Sequence, residues 1–131
     1  MEKVFIIINE QHSIMEDQEK VIKKNFPNAT LEKVAIPAKG LNLQEITELV
    51  KELTQKDGNI IFVSPIPAMM ILLSRELAKM EYYKGVADTK CLPSGCPNVE
   101  VFTFHNDKRE KKELPNGKII FTVAKEGWQL V

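Results

Sequence analysis

Residues 59–73 constrain the fold more than any other part of the chain. They begin with an apolar run at 60–63, followed by Ser64. A short apolar run rich in β-branched residues is typical of a strand buried on both faces. Pro65 and Pro67 end that strand, because proline cannot donate to a ladder, and the apolar residues that follow predict a deeply covered helix. The segment therefore predicts the middle strand of a parallel α/β sheet, with a ligand site at its carboxyl edge.

Two further strand–helix units precede this segment. Apolar runs at 4–8 and 31–36 predict strands, and apolar residues at helical spacing predict helices over 14–26 and 43–53. Strands that alternate with helices of this length favour right-handed βαβ crossovers and a parallel sheet. The pattern predicts a single Rossmann-like α/β domain over 1–131, built from three βα units and a C-terminal extension.

Both of these helices have a predicted capping box at the N-terminus. Ser13 pairs with Glu16 in the first, and Asn42 pairs with Glu45 in the second. In such a box the first side chain accepts a backbone N–H three residues on, and the acidic side chain accepts the N–H of the capping residue. The two boxes predict where each helix begins.

The C-terminal part of the chain has a different pattern. Residues 85–98 are rich in Gly and Pro and predict a long loop, and 99–105 predict a strand. Asn116 and Gly117 lie between two strand-like segments, which predicts a β-hairpin because both residues tolerate positive φ. A last extended segment, 128–131, is predicted to add an edge strand.

Composition narrows the functional classes. Lys plus Arg equals Asp plus Glu, at 18 each, so no global field attracts duplex nucleic acid. The apolar runs are too short to span a bilayer, so we expect no membrane segment. An apolar strand follows directly on the first residues, so we expect no signal peptide. The chain has only two cysteines, which together with the expected lack of an export signal favours the reducing cytoplasm.

The loop after the first strand is the first candidate site. It contains Asn9, Gln11, His12 and Ser13. Ligands of open α/β sheets lie outside the carboxyl ends of the strands, so His12 could bind phosphate or donate a proton there. In the alternative interpretation, Ser13 only caps the helix and His12 is solvated.

The turn after residues 60–63 is the second candidate site. Ser64 precedes a predicted helix N-terminus, where an anion would be stabilised by about 0.3–1 kcal/mol. The alternative is a rigid turn in which Ser64 only caps the helix. The sequence contains neither GxGxxG nor a Walker A pattern, which argues against classical dinucleotide or P-loop binding.

The third candidate site is the polar cluster that begins at His105. His105 and Asn106 could face the same crevice, and Lys108 and Arg109 could bind phosphates. The alternative is a solvated hairpin whose charges discourage edge-to-edge pairing.

Cys91 and Cys96 favour a loop disulfide or two inert thiols over a metal site, because only two histidines exist to complete a ligand set. We therefore expect no metal and no cofactor.

Three features together resemble a known protein class: the first strand ending in Asn9-Glu10-Gln11-His12-Ser13, the Phe62-Val63-Ser64-Pro65 turn before an apolar helix, and a C-terminal strand with a basic hairpin. They are similar to the small standalone Rossmann-like proteins associated with CRISPR systems, the CARF-like group. The resemblance implies a homodimer that binds a cyclic oligoadenylate across its two-fold axis, and in some members (ring nucleases) cleaves it without a metal. The residues implied at that site are Asn9, His12, Ser13, Ser64, His105, Lys108 and Arg109, and His12 and His105 are the candidate catalytic residues.

Two other interpretations stay open at this point. His12 resembles the phosphohistidine position of mannose-class sugar phosphotransferase carriers, although Ser64-Pro65-Ile66-Pro67 replaces their glycine-rich turn. The chain could also be a non-catalytic interaction module whose hairpin docks a protein partner.

Overall fold

The computed structural model describes residues 2–84, the last four as backbone, and 99–131. The predicted loop over 85–98, with Cys91 and Cys96, lies outside the described residues. The elements in chain order are β1 (Lys3–Asn9), α1 (Glu16–Asn25), β2 (Thr30–Ile36), α2 (Leu43–Thr54), β3 (Asn59–Phe62), α3 (Pro67–Lys84), β4 (Val101–Asn106), β5 (Arg109–Glu113), β6 (Ile119–Val123) and β7 (Trp128–Leu130).

The strands form a five-stranded sheet in the order β2-β1-β3-β4-β7 and a separate β5–β6 hairpin. Strands β1 to β4 are parallel, and β7 joins β4 as an antiparallel edge strand. The predicted mixed α/β class, the mostly parallel sheet and the C-terminal hairpin are confirmed. Because β3 lies at the centre of the sheet, the prediction of a middle strand at 60–63 is also confirmed.

The core has one layer on each face of the sheet. On one face Phe5, Ile7 and Phe62 pack with residues of α2 and α3, and on the other Val4, Ile6 and Ile61 pack with Ile22 of α1 and with residues of β4. Every one of these side chains is at most 1% exposed. Continuous burial of β1 and β3 explains their unbroken apolar sequences.

The structure corrects the predicted start of the first helix. The helix begins at Glu16 with Met15 as its N-cap, so the Ser13–Glu16 box is wrong. Gln18, which is buried, takes the acidic partner's role instead and accepts the Met15 N–H at 3.0 Å. The later start leaves a longer loop over the carboxyl edge of β1. In α2 the predicted box is confirmed, since Asn42 and Glu45 exchange both hydrogen bonds.

The prediction that the third helix is deeply covered is wrong for the part whose side chains are described. Met69 and Leu73 are buried, but Ile71 is 53% exposed. Within the described residues, helix α3 packs against α2 and one face of the sheet, and Ile71 lies on its outer side despite the apolar sequence.

Candidate functional site

Strands β1 and β3 are neighbours, and their carboxyl ends are joined by the turn that follows β3. The N–H groups of Val63 and Ser64 both donate to the carbonyl of Ile7, at 2.9 and 3.1 Å. These two bonds curl the chain back over β1 before α3 begins. The turn is thereby fixed against the loop that follows β1, which contains the first group of predicted site residues.

Ser64 connects that turn to the β1 loop through its hydroxyl group. Its Oγ accepts the backbone N–H of Asn9 at 2.9 Å and lies 3.0 Å from Nδ1 of His12. Ser64 is only 9% exposed and His12 is exposed, so this is a part-buried contact between residues more than fifty positions apart. A serine hydroxyl can accept two hydrogen bonds and donate one, so Oγ can pair with Nδ1 whether or not Nδ1 carries a proton. In either case the contact occupies Nδ1 and leaves Nε2 available to a ligand.

Further hydrogen bonds fix the shape of the β1 loop. Oδ1 of Asn9 accepts the N–H of Gln11, and the carbonyl of Asn9 accepts the N–H of His12, each at 2.9 Å. Glu10 ties the loop to β2, because its carboxylate accepts the N–H of Ala38 and its own N–H donates to the carbonyl of Ile36. His12 is therefore held in one place while its ring stays exposed, and Gln11 is exposed beside it.

A cavity of about 340 Å³ opens beside the contact between Ser64 and His12. Its volume is within the usual range for small-ligand sites, about 300–1,000 Å³. Polar groups come from the β1 loop and Ser64, and apolar groups come from the ends of β2 and β3. The lining residues are Asn9, His12, Ile36, Pro37, Gly40, Leu41, Ser64, Pro65 and Ile66.

The sequence predictions missed the contribution of the loop after β2. Gly40 has φ of +83° and donates its N–H to the carbonyl of Pro37, which turns the chain back to place Leu41 in the cavity wall. The position of this loop could have been inferred, since β2 is parallel to β1 and ends at the same edge of the sheet. The Pro37-to-Gly40 turn was the available indication.

The N-terminus of α3 lies beside the cavity, following Ile66. Its first turn, residues 67–70, contains no acidic residue. The partial positive charge of the helix end is therefore not neutralised by side chains of its own first turn.

The residues predicted at the end of β4 have mainly structural contacts. Asn106 is 5% exposed, its Nδ2 donates to the carbonyls of Ala124 and Glu126, each at 3.0 Å, and its Oδ1 accepts the N–H of Lys108 at 2.7 Å. Arg109 donates to the carbonyls of Asn106 and Lys108. Asn106 and Arg109 thus hold the base of the hairpin, and Lys108 enters the network through its backbone.

His105 lies in β4 with its side chain 57% exposed, and its Nε2 is 3.1 Å from a carboxylate oxygen of Asp107. Of the residues that the structure describes, those lining the 340 Å³ cavity do not include His105. However, β4 pairs Thr103 with Phe62, so strand alternation places His105 on the same face as Phe62 and nearer the carboxyl edge. The first two predicted loops therefore meet at one cavity, and His105 lies further along the same edge.

Two other cavities lie away from the contact between Ser64 and His12. A cleft of about 470 Å³ between α2 and α3 has a mainly apolar surface with Lys51, Arg75, Lys79 and Glu76 in its lining, and no predicted site residue lines it. A cavity of about 510 Å³ beside the hairpin has the cationic groups of Lys108, Arg109 and Lys125, opposed by Glu110 and Glu126.

Comparison of the chain with protein-family models, with curated proteins and with solved structures gives no match. Within 2–84 and 99–131, no group of three or more His, Cys, Asp or Glu side chains is arranged to hold a metal ion. No helix of this described part is both long and apolar enough to cross a bilayer. The functional argument therefore depends on the geometry of the site.

Proposed function

We propose that the protein is a Rossmann-like nucleotide-binding protein that takes a cyclic oligoadenylate as a homodimer, at the carboxyl edge of its sheet. The observation that supports this best is the contact of His12 and Asn9 with Ser64 at the wall of a ligand-sized cavity. Two loops far apart in the sequence meet there, and each was a separate candidate for anion binding.

The lining of the cavity suits a nucleotide. Ile36, Leu41 and Ile66 offer an apolar surface for a base, while His12 offers an N–H to a phosphate oxygen. The N-terminus of α3 would add about 0.3–1 kcal/mol for a negative charge placed near it. One ligand with an apolar ring and an anionic group therefore matches both sides of the cavity.

The size of the cavity supports a ligand shared between two copies. About 340 Å³ accommodates one nucleotide unit, and a cyclic oligonucleotide contains several. The remaining units would extend along the sheet edge towards His105, with Gln11, Ser13, Lys108 and Arg109 as the other predicted contacts. Asn106, whose side chain is buried, would only hold the hairpin base beside them. A second copy would supply a matching cavity for the far side of the ring.

We also propose that the protein cleaves one phosphodiester bond of the bound cyclic oligoadenylate without a metal. In this step the 2′-hydroxyl attacks the adjacent phosphorus, the bond to the 5′-oxygen breaks, and the products are a 2′,3′-cyclic phosphate and a 5′-hydroxyl. The proton lost by the 2′-hydroxyl passes to solvent. The 5′-oxygen receives its proton from Nε2–H of His12 in its imidazolium form, which leaves a neutral imidazole. The 3.0 Å contact between Nδ1 and Oγ of Ser64 supports this proposal, because it holds the imidazole ring and leaves Nε2 for the ligand.

Binding can be tested by the thermal stability of the protein with a panel of cyclic oligoadenylates of different ring size. A ligand that binds only the folded state stabilises it by about 1.4 kcal/mol at ten times its dissociation constant. We expect one ring size to raise the melting temperature, and the linear oligoadenylate of equal length to raise it less. Ser64→Ala, which removes the hydroxyl shared by Asn9 and His12, is expected to diminish the shift. A panel without any effect on the melting temperature would contradict the proposal.

A further inference from the structure

The β5–β6 hairpin exposes an apolar strand. It forms a two-stranded sheet of its own, apart from the main sheet. In β6, Ile119 is 51% exposed, Phe121 67% and Val123 45%. A hairpin of two strands has little stability in water unless another surface covers it. Exposed apolar residues clustered on such a hairpin therefore indicate an interaction surface.

The backbone hydrogen bonds show which groups of β6 are directed outwards. The N–H of Leu114 donates to the carbonyl of Lys118, and the N–H of Ala124 donates to the carbonyl of Lys108. In an antiparallel ladder the hydrogen-bonded pairs recur every second residue. The pairs are therefore at the even positions of β6. The N–H and C=O groups of residues 119, 121 and 123 are directed away from β5, along the outer edge of β6.

The two edges of the hairpin differ in composition. Strand β5 has the sequence Arg-Glu-Lys-Lys-Glu, and its side chains are exposed. Charged edge strands resist pairing with other chains. Strand β6 has the sequence Ile-Ile-Phe-Thr-Val, with no charge and no proline, and nothing in the described part of the chain pairs with its outer edge. Only the β6 edge is suited to receive another strand.

We propose that β6 pairs with β6 of a second copy, antiparallel and centred on Phe121. This register places Phe121 opposite Phe121 of the partner subunit and Ile119 opposite the partner's Val123. The odd-numbered N–H and C=O groups would then form about six hydrogen bonds between the copies. The product is a four-stranded sheet with the charged β5 strands at both outer edges.

The sequence of β6 favours a second copy over an unrelated peptide. When β6 is paired with itself, every apolar residue meets an apolar residue or Thr122, and no charge is buried. The outward-directed residues 119, 121 and 123 occupy equivalent positions about the two-fold axis. This pairing depends on the hairpin alone and not on nucleotide binding.

The small area of the β6–β6 contact determines how tightly we expect the two copies to associate. A pair of five-residue strands covers less than the roughly 1,200 Å² of a small stable interface. We therefore expect a reversible dimer with a dissociation constant on the order of micromolar.

Sedimentation equilibrium of the full chain, from about 1 to 500 µM, tests the association. We expect a monomer–dimer equilibrium that Phe121→Lys weakens by more than about tenfold, since it places two charges together at the two-fold axis. Leu43→Lys is the matched control, because Leu43 is an equally exposed apolar residue, at 66%, on α2. It should leave the equilibrium unchanged.

Amide hydrogen exchange of the wild-type protein tests the register without a substitution. Residues 120 and 122 should be protected at all concentrations, and 119, 121 and 123 only at high concentration. A chain that stays monomeric, or a dimer unaffected by Phe121→Lys, would overturn the proposal. So would protection of 119, 121 and 123 in the monomer, which would mean that another segment of the same chain covers this edge.

Discussion

Replacing His12 by alanine is expected to slow the opening of a cyclic oligoadenylate by about 10²–10⁴-fold, the usual contribution of a positioned general acid. The imidazole ring of His12 is held at the wall of the cavity, where its Nδ1 lies 3.0 Å from Oγ of Ser64. With alanine the 5′-oxygen would leave without a proton donor. Single-turnover kinetics, followed by chromatography of the linear product in the presence of a chelator, measures the effect.

His105→Ala is the matched comparison, since the chain contains only these two histidines. The ring of His105 pairs with Asp107 and is not among the described residues that line the cavity, so we expect a smaller loss of rate. Binding should be measured for both variants, because a loss of affinity alone would place His12 in ligand binding only. Undiminished turnover in both variants would remove the histidines from the mechanism.

Asn106→Asp is expected to lower the free energy of unfolding by about 2–4 kcal/mol. The substitution keeps the shape of the side chain but removes the NH₂ group that donates to the carbonyls of Ala124 and Glu126. Each buried polar group left unsatisfied costs about 1–3 kcal/mol, and the new carboxylate would face two carbonyl oxygens in a site only 5% exposed. Urea denaturation measures the change.

Asn116→Asp is the control for that substitution. Asn116 is exposed in the hairpin turn, where its Oδ1 accepts the N–H of Lys118. An aspartate keeps that acceptor, so the free energy of unfolding should change by less than about 0.5 kcal/mol. Equal stability of Asn106→Asp and wild type would contradict the role given to Asn106 at the hairpin base.

Local sequence signals predicted most of the elements. The apolar runs of β1 and β3, the Asn42–Glu45 box and the Asn-Gly hairpin each depend on neighbours in the chain, and the structure confirms all of them. In the hairpin turn, however, Gly117 has positive φ and Asn116 does not. The first helix began later than predicted because Gln18, which looked like an ordinary helix residue, is buried and accepts the N-cap N–H.

Tertiary contacts explain what the sequence pattern could not predict. Ile71 appeared to be a core residue, but within the described part of the chain only one side of α3 packs against other elements. Asn106 was predicted to bind a ligand because it belongs to a polar cluster in the sequence. Its hydrogen-bond partners are the carbonyls of Ala124 and Glu126, whose positions depend on the path of the chain after the hairpin. The contact between Ser64 and His12 was expected only as proximity at one edge of the sheet. That one hydroxyl group, Oγ of Ser64, contacts both Asn9 and His12 could be seen only in the structure.

Chemical-shift mapping of the ¹⁵N-labelled protein, titrated with a cyclic oligoadenylate, tests the proposed site most directly. The predicted result is that the largest amide shifts occur in 9–13, 36–41 and 64–69, the three segments that meet at the cavity and the start of α3. Saturable shifts confined to the hairpin or to the cleft between α2 and α3, or no shifts at all, would contradict a nucleotide site at the carboxyl edge of the sheet.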